Sequence, residues 1–479
     1  MRSNWMRVFE TSVQELKDSV LREVAALAWE DRLQTGILDI PEKIIPGPEA
    51  KMRCCIYKER AVVSSRVKMA LGGDHTNPGL VEVMNVACDG CPVTQMTVGP
   101  ACRGCIATRC VHSCPKDAIT IVNHKAEIDH SKCILCGKCL NACPYGAIIK
   151  NLRPCERACK VGAISMGEDR KALVDYGKCI SCGACVYQCP FGAIMDKSYI
   201  VDVVEMLRGS AKWGYRVYAV IAPSIMGQIA PATLGQLVTG LKQVGFHAVR
   251  EVALGADMTA AHEAEELLEK KVLTSSCCPA FVDYVEKNFP KLAERVSGTP
   301  SPMVMIGKHI KEQDPKAKVV FIGPCVAKKK EFQLGKTMGA IDCVLTFEEM
   351  FPLLESKGID ITQLEEDTLD EASGYGRAFA ASGGVAAAVA EALKEKGVTA
   401  EQFQLNCAAC SGIDACKAAL LKMDRGIGDV NFIEGMACEG GCVQGAGIVV
   451  RSPKNQAEVG KHVKAAGERT IGSAVESAQ

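Results

Sequence analysis

The chain carries no excess charge of either sign, since 56 lysines and arginines face 56 acids. No global field therefore draws it toward nucleic acid or a membrane surface. It has no apolar run long enough to span a bilayer. Its first residues, MRSNWMRVFETSVQELKD, contain neither an apolar h-region nor a small-residue cleavage site. No signal peptide is expected, and the expected location is cytoplasmic. The eight histidines show no paired spacing, and no flavin or nicotinamide fingerprint appears. Membrane, nucleic-acid and nucleotide-cofactor readings all lack support.

Cysteine is abundant instead. There are 27 in 479 residues, sixteen of them between Cys88 and Cys189. A disulfide scaffold suits short secreted chains, whereas this one is long enough for two or three domains. In a reducing compartment, clustered cysteines at short fixed spacing mean metal.

Residues 1–75 read as a helical segment. Val13, Leu16, Val20, Val24 and Leu27 fall at three- and four-residue steps, an amphipathic stripe expected to pack. The Pro/Gly-containing IPEKIIPGPEA then breaks the pattern, and Cys54 and Cys55 follow without interpretable spacing. Residues 76–200 contain an internal repeat whose units end in CPKDAI, CPYGAI, CKVGAI and CPFGAI. They read as two tandem bacterial-type ferredoxin modules. The first spans 76–150 with Cys88 and Cys91 as a lead-in, and the second, truncated, spans 151–200. From 201 to 455 the runs VYAVIAP, AVREVAL, KKVLTS, KVVFIGP and DCVLTF read as buried strands, with helices in TAAHEAEELLEK and SGGVAAAVAEALKEK. That alternation predicts an α/β domain with parallel sheets in two lobes, behind α+β ferredoxin-like modules and the helical segment. A tail covers 456–479.

A [4Fe-4S] cube needs four thiolates, and in two-cluster ferredoxins the fourth comes from the other half of the module. Cys133, Cys136, Cys139 and Cys143-Pro144 fit this spacing, as do Cys179, Cys182, Cys185 and Cys189-Pro190. Cys102, Cys105, Cys110 and Cys114-Pro115 fit it with an expanded middle. Zinc competes for any C-x2-C pair, but four-cysteine runs repeated across the region favour cubes. Crosswise pairing assigns one cluster to Cys102, Cys105, Cys110 and Cys143. A second takes Cys133, Cys136, Cys139 and Cys114. A third takes Cys179, Cys182, Cys185 and Cys159. Cys155 and Cys189 are then two ligands short of a fourth, which Cys88 and Cys91 could supply.

Three further motifs lie in the second half: TSSCCPAF at 274–281, GPCVAKKKE at 323–331 and EGMACEGGCVQGAG at 434–447. Cysteines at strand ends, with glycines where backbones must approach, suggest a buried cluster. Over about residues 215–450 these motifs, in this order, resemble the signature segments of [FeFe]-hydrogenases, in a divergent monomeric subgroup. The resemblance implies an H-cluster, a [4Fe-4S] cube joined to a di-iron unit bearing CO, cyanide and a bridging dithiolate. By motif position Cys278, Cys325, Cys438 and Cys442 would hold the cube, with Cys442 as the bridge. Cys277 resembles the thiol that exchanges protons with the dithiolate amine. Lys328 resembles the cation paired with one cyanide, Ser224 the hydrogen-bond donor to the other, and Met436 a soft side chain packed on the di-iron unit. Glu263 and Glu266 match the relay glutamates, spaced to share a helix face, and Ser297 matches the relay serine.

The chain departs from that pattern at Ala280-Phe281, where well-studied members have Gly-Trp. It departs again at Gly323 in place of Met and at Met303 in place of Gln. Cys407, Cys410 and Cys416, with Cys343 elsewhere, are expected to be buried structural thiols, although a metal with a fourth ligand is the alternative. The implied activity is 2 H+ + 2 e− ⇌ H2, with a ferredoxin or similar small carrier as electron partner and maturation proteins supplying the di-iron unit. The competing readings are an H2-sensing relative and a non-catalytic iron–sulfur assembly protein.

Overall fold

A computed structural model describes residues 9–478. Residues 1–8, part of the N-terminal stretch read above, and residue 479 lie outside it. The helix Ser12–Trp29 starts at Thr11, whose side chain accepts from the Gln14 amide, a hydroxyl N-cap. Its predicted stripe is used: Val20 and Val24 are buried, and Leu16 and Leu27 pack on the same core.

Fifteen strands follow among the described residues. They are β1 (Val81–Val83), β2 (Gln95–Val98), β3 (Ile119–Val122), β4 (Lys125–Ile128), β5 (Ile148–Asn151), β6 (Ile164–Met166), β7 (Ala172–Val174) and β8 (Ile194–Asp196). Then come β9 (Val217–Ile221), β10 (Ala248–Glu251), β11 (Leu273–Thr274), β12 (Lys318–Gly323), β13 (Cys343–Thr346), β14 (Cys407–Ser411) and β15 (Phe432–Met436).

The ferredoxin-like region repeats one plan twice. β2 pairs antiparallel with β5 beside the hairpin β3–β4, and β1 pairs antiparallel with β8 beside the hairpin β6–β7. Here the structure differs from sequence order. The Cys88/Cys91 lead-in follows β1, and β1 pairs with β8, so the lead-in folds with the second unit and the first unit is inserted into it. The second unit is therefore not truncated. Short cysteine-led loops could not reveal this, because strand pairing between residues 81 and 196 is a long-range choice.

Two parallel sheets build the rest. One has the order β10-β9-β12-β13 and the other β11-β15-β14. All five strands read from sequence form, although the AVREVAL strand stops at Glu251 and Val252 begins the helix Val252–Lys270. β14 and β15 were not anticipated; CAACS is made of small residues, FIEGM has a single β-branched residue, and neither carries a β-branched run. The first sheet is buried on both faces, with Val217, Ala219, Val220 and Val319–Ile322 all in one core that also takes the N-terminal helix. In that sheet the order reverses between β9 and β12, a topological switch point where ligands collect beyond the strand ends. The segments after β9 and β12 contain Ser224 and Cys325, respectively. The segments after β11 and β15 contain Cys277, Cys278, Cys438 and Cys442.

Candidate active site

Seven of the side chains singled out from sequence meet around one small cavity of about 80 Å³. They are Ser224, Cys277, Cys278, Cys325, Lys328, Met436 and Cys442. Cys278 is the N-cap of the helix Pro279–Asn288, with proline in its first turn. Gly441 has φ +82°, and a Cβ there would stand 2.9 Å from the Ser382 amide and 3.0 Å from Met436 Sδ. Only glycine lets the chain turn into Cys442 at that distance. Cys438 is held at high pKa by burial and then by Cys325, Cys278 and Cys442, which marks the four thiols as neighbours. Cys182 follows in the same series, so the Cys179–Cys185 run abuts this group.

Two polar groups in the wall are informative. Ser224 Oγ is buried without a hydrogen-bond partner, a costly arrangement unless a bound group accepts its proton. Lys328 Nζ donates to Glu331 Oε2 at 2.6 Å, Ser301 Oγ at 2.9 Å and the Cys277 carbonyl at 3.1 Å. Burial, the largest single influence, would lower its pKa, but Glu331 together with the Cys325 and Cys277 thiols outweighs it and the net direction is upward, so it stays an ammonium. The residue pairing with Lys328 within the protein is thus Glu331, three residues on, which sequence reading did not single out although the i,i+3 spacing was visible in KKKE.

A polar chain leads to the cavity. Lys270 Nζ pairs with Glu266 at 2.7 Å, and Ser297 Oγ donates to Glu266 Oε2 at 2.6 Å. Ser297 also stands beside Glu263, where it works against the rise in that residue's pKa. Glu263 is fully buried and its pKa is pushed up to about 7, chiefly by burial. Ser276 was missed from sequence. Its amide and hydroxyl lie 3.1 and 3.3 Å from Glu263 Oε1, and its hydroxyl proton goes to the Thr299 carbonyl at 2.6 Å. Glu263 Oε2 is left without a partner. Burial and then Glu263 push the adjacent Cys277 thiol up. Ser297, between the two glutamates, lines a cleft of about 620 Å³ together with Gly298 and Thr299.

The departures from the expected pocket also have an account. The Phe321 ring lies where a Cβ on Gly323 would be, at 2.4 Å, and Phe321 lines the cavity. The Phe281 ring likewise covers Gly435. Met303 is buried in the cavity wall.

The remaining cysteines fall into sets. Cys114, Cys133, Cys136 and Cys139 line one small cavity. Cys110 is raised by burial and then by Cys143 and Cys105. Cys185 is raised by burial and then by Cys182, Cys179 and Cys159. Cys155 is pushed up to about 11 by burial and then by Cys189, with Cys91 also acting on it. Cys91 in turn is raised by burial, Cys189 and Cys88. The two units match in detail: the Ala126 and Ala172 amides, each on a hairpin strand, donate at 3.4 Å to Cys102 and Cys88 Sγ. Among the described residues no three His, Cys, Asp or Glu side chains converge on one point as a single ion requires. Cube thiolates bind different irons and stand apart. Cys343, Cys410 and Cys416 are buried as expected, but Cys407 is exposed, as are Cys54 and Cys55.

Residues 215–446 match the model of the iron only hydrogenase large subunit, C-terminal domain, and residues 125–148 and 172–195 match 4Fe-4S binding domains. "Iron hydrogenase 1" of Clostridium pasteurianum is 30% identical over 401 residues, 72% of this chain and 69% of that one. The chain belongs to the iron-only hydrogenase family. A second hydrogenase relative, the "Periplasmic [Fe] hydrogenase large subunit" of Nitratidesulfovibrio vulgaris, is 30% identical over 68% of this chain and 86% of its own. The chain is also similar to the mouse "Cytosolic iron-sulfur assembly component 3", 26% identical over 45% of this chain and 57% of that protein's length. Family membership establishes an oxidoreductase-type, iron–sulfur-binding chain. No helix among the described residues is long and apolar enough to cross a membrane.

Proposed function

We propose that this protein is a hydrogenase catalysing 2 H+ + 2 e− ⇌ H2 at an H-cluster in the cavity between β9, β12, β11 and β15. The observation that carries the reading is that Cys277, Lys328 and Ser224 line the same cavity as three cysteines expected to hold the cube. A purely structural cube needs none of those three. The donor set fits the group: four neighbouring thiols, an orphaned hydroxyl donor and a buried ammonium that could face anionic ligands. Cys278, Cys325, Cys438 and Cys442 would hold it, Cys442 as the bridge, with Met436 alongside. When bound, the di-iron unit supplies an open coordination site at which protons and electrons combine.

The chain's own residues handle the protons. Glu266 collects them beside the exposed Lys270, Ser297 spans Glu266 and Glu263, and Glu263 passes them toward Cys277. With a pKa of about 7, Glu263 can both take up and release a proton near neutrality. Glu263→Gln is expected to cut turnover by roughly 10²-fold while leaving iron content unchanged. A variant with full turnover would rule the carboxyl out of the route.

Electrons would travel through four accessory clusters, the neighbourhood of Cys88, Cys91, Cys155 and Cys189 supporting the fourth. Reconstitution and iron counting test this: about sixteen accessory irons are expected at four irons per cluster, and about twelve would remove the fourth. The partner is a small ferredoxin-type carrier. Infrared spectroscopy of protein co-produced with the di-iron maturation proteins separates the main readings. Bands of iron-bound CO and cyanide are expected; their absence would favour a non-catalytic role like that named for the mouse relative.

A further inference from the structure

Two buried arginines have no acid to face. Among the described residues the buried Lys17, Lys197, Lys328, Lys329 and Arg377 each meet a carboxylate at 3.3 Å or less. Arg66 and Arg153 are 1% and 2% exposed, and among the same residues neither pairs with one. Arg66 donates to the Gly192 carbonyl at 2.9 Å and to Met195 Sδ at 3.1 Å, and its Nε has no partner. Arg153 donates to the Pro92 carbonyl at 3.3 Å and the Arg170 carbonyl at 2.7 Å, and one of its terminal nitrogens has no partner. A cation buried without an anion is costly.

Both guanidinium groups border the same four cysteines. Arg66 reaches the turn that follows Cys189, and besides burial the charges acting on it are Cys189 and a second cation, Arg53. Burial draws its pKa down to about 10, so it stays charged at neutrality. Arg153 precedes the helix Pro154–Ala158 that carries Cys155, and it grips the residue after Cys91. It also acts on Cys91 against the rise that burial causes. Glu156 acts on Cys91 and Cys155 in the opposite sense, but it is only half-buried and accepts from Thr94 at 2.7 Å.

The first unit supplies an internal control. Matching backbone amides reach matching thiols, Ala147 to Cys143 at 3.4 Å and Ala193 to Cys189 at 3.2 Å. Gly146 and Gly192 make matching left-handed turns, at φ 58° and 55°. A Cβ on Gly192 would stand 2.2 Å from an Arg66 nitrogen, whereas one on Gly146 would meet nothing within 4 Å. Among the described residues 93–151 no lysine or arginine is buried. A [4Fe-4S] cube on four thiolates is anionic, and its potential follows net charge and surroundings. Reduction adds one more negative charge, which burial alone opposes and a fixed nearby cation favours.

Resting on the four-cluster reading above, we propose that Arg66 and Arg153 raise the reduction potential of the cluster held by Cys88, Cys91, Cys155 and Cys189. It then lies above that of its first-unit counterpart on Cys102, Cys105, Cys110 and Cys143. One electron from an external reductant enters the cluster, with no bond made or broken. The second unit thereby holds an electron while the matching site of the first is still oxidised.

An EPR-monitored redox titration of the iron-loaded full chain, with dithionite as reductant, tests this. Cys91→Ala and Cys105→Ala each remove one ligand and so identify the two signals. In the parent the Cys91-dependent signal should grow in at the higher potential. Arg66→Gln, which keeps a donor for the Gly192 carbonyl, and Arg153→Gln should each make that cluster roughly tenfold harder to reduce. For one electron that is ~59 mV, and the Cys105-dependent step should not move. Arg66→Lys keeps the charge and should restore most of the shift, which a purely structural role would not require. Should a glutamine variant lose iron, the order of the two steps in the parent still decides. About sixteen accessory irons with the Cys105-dependent step first, or with both glutamine variants titrating like the parent, overturn this proposal alone. About twelve in the parent would remove the fourth cluster and this proposal with it.

Discussion

Replacing Cys277 with alanine is expected to lower H2 turnover by ~10²–10⁴-fold, the range for loss of a positioned proton-transfer group, while the CO and cyanide bands persist. The reason is local. Cys277 lines the cavity, and Glu263 acts on it next after burial. Its neighbour Cys278, a proposed cube ligand, is untouched by the substitution. Lys328 keeps its contact as well, because it bonds the Cys277 backbone carbonyl and not the thiol. The variant therefore separates proton delivery from cofactor binding. Intact bands with undiminished turnover would mean that protons enter elsewhere. Lost bands would instead assign Cys277 to holding the site.

The largest effect on stability is expected at Lys329. This side chain is fully buried and donates to Asp196 Oδ2 at 2.7 Å, Glu349 at 2.8 Å and the Lys197 carbonyl at 2.9 Å. Asp196 also receives Lys17 of the N-terminal helix at 2.9 Å, and Lys17 reaches Glu348 at 2.8 Å. The network thus joins the first helix, β8 of the ferredoxin-like region and the helical turn next to Lys328. Burial alone would raise the Asp196 pKa, but Lys17 and Lys329 outweigh it and hold it well below the usual carboxylate range. Lys329→Met would leave buried carboxylates undercompensated, at a cost of about 3–5 kcal/mol. Thermal unfolding of the iron-loaded protein should show it as a marked fall in Tm. The sign with pH follows from the depressed Asp196. Its contribution is present above the ordinary carboxylate range and is lost as acid protonates it in the folded state. A variant as stable as the parent would show that Lys17 alone compensates the acids.

Much of the site was legible because its residues sit in short contiguous motifs. TSSCCP, GPC and the double-cysteine loop each place a thiol immediately after a strand, and strand ends are where parallel sheets gather ligands. The cysteine runs were legible because ligand spacing within a loop is a local property. Other features were not. Ser276 and Thr299 carry no distinguishing pattern, and Glu331, although spaced i,i+3 from Lys328, takes its role, as they do, from what folds against it. β14 and β15 escaped notice because neither CAACS nor FIEGM carries the β-branched run that advertises a strand.

The sequence by itself determined that this is a multi-cluster iron–sulfur chain of two halves, and which motifs could form a hydrogenase-like centre. Hydrophobic runs and cysteine spacings act over a few residues, so they can be read in order. Only the tertiary structure decided which unit Cys88 and Cys91 join, since β1 finds β8 more than a hundred residues away. It decided that Lys328 is met by Glu331, that Ser224 is left without a partner, and that Arg66 and Arg153 are buried while the arginines of the first unit are not. Each of these depends on burial between segments distant in sequence, and burial sets both the charge state and the exposure of identical residue types.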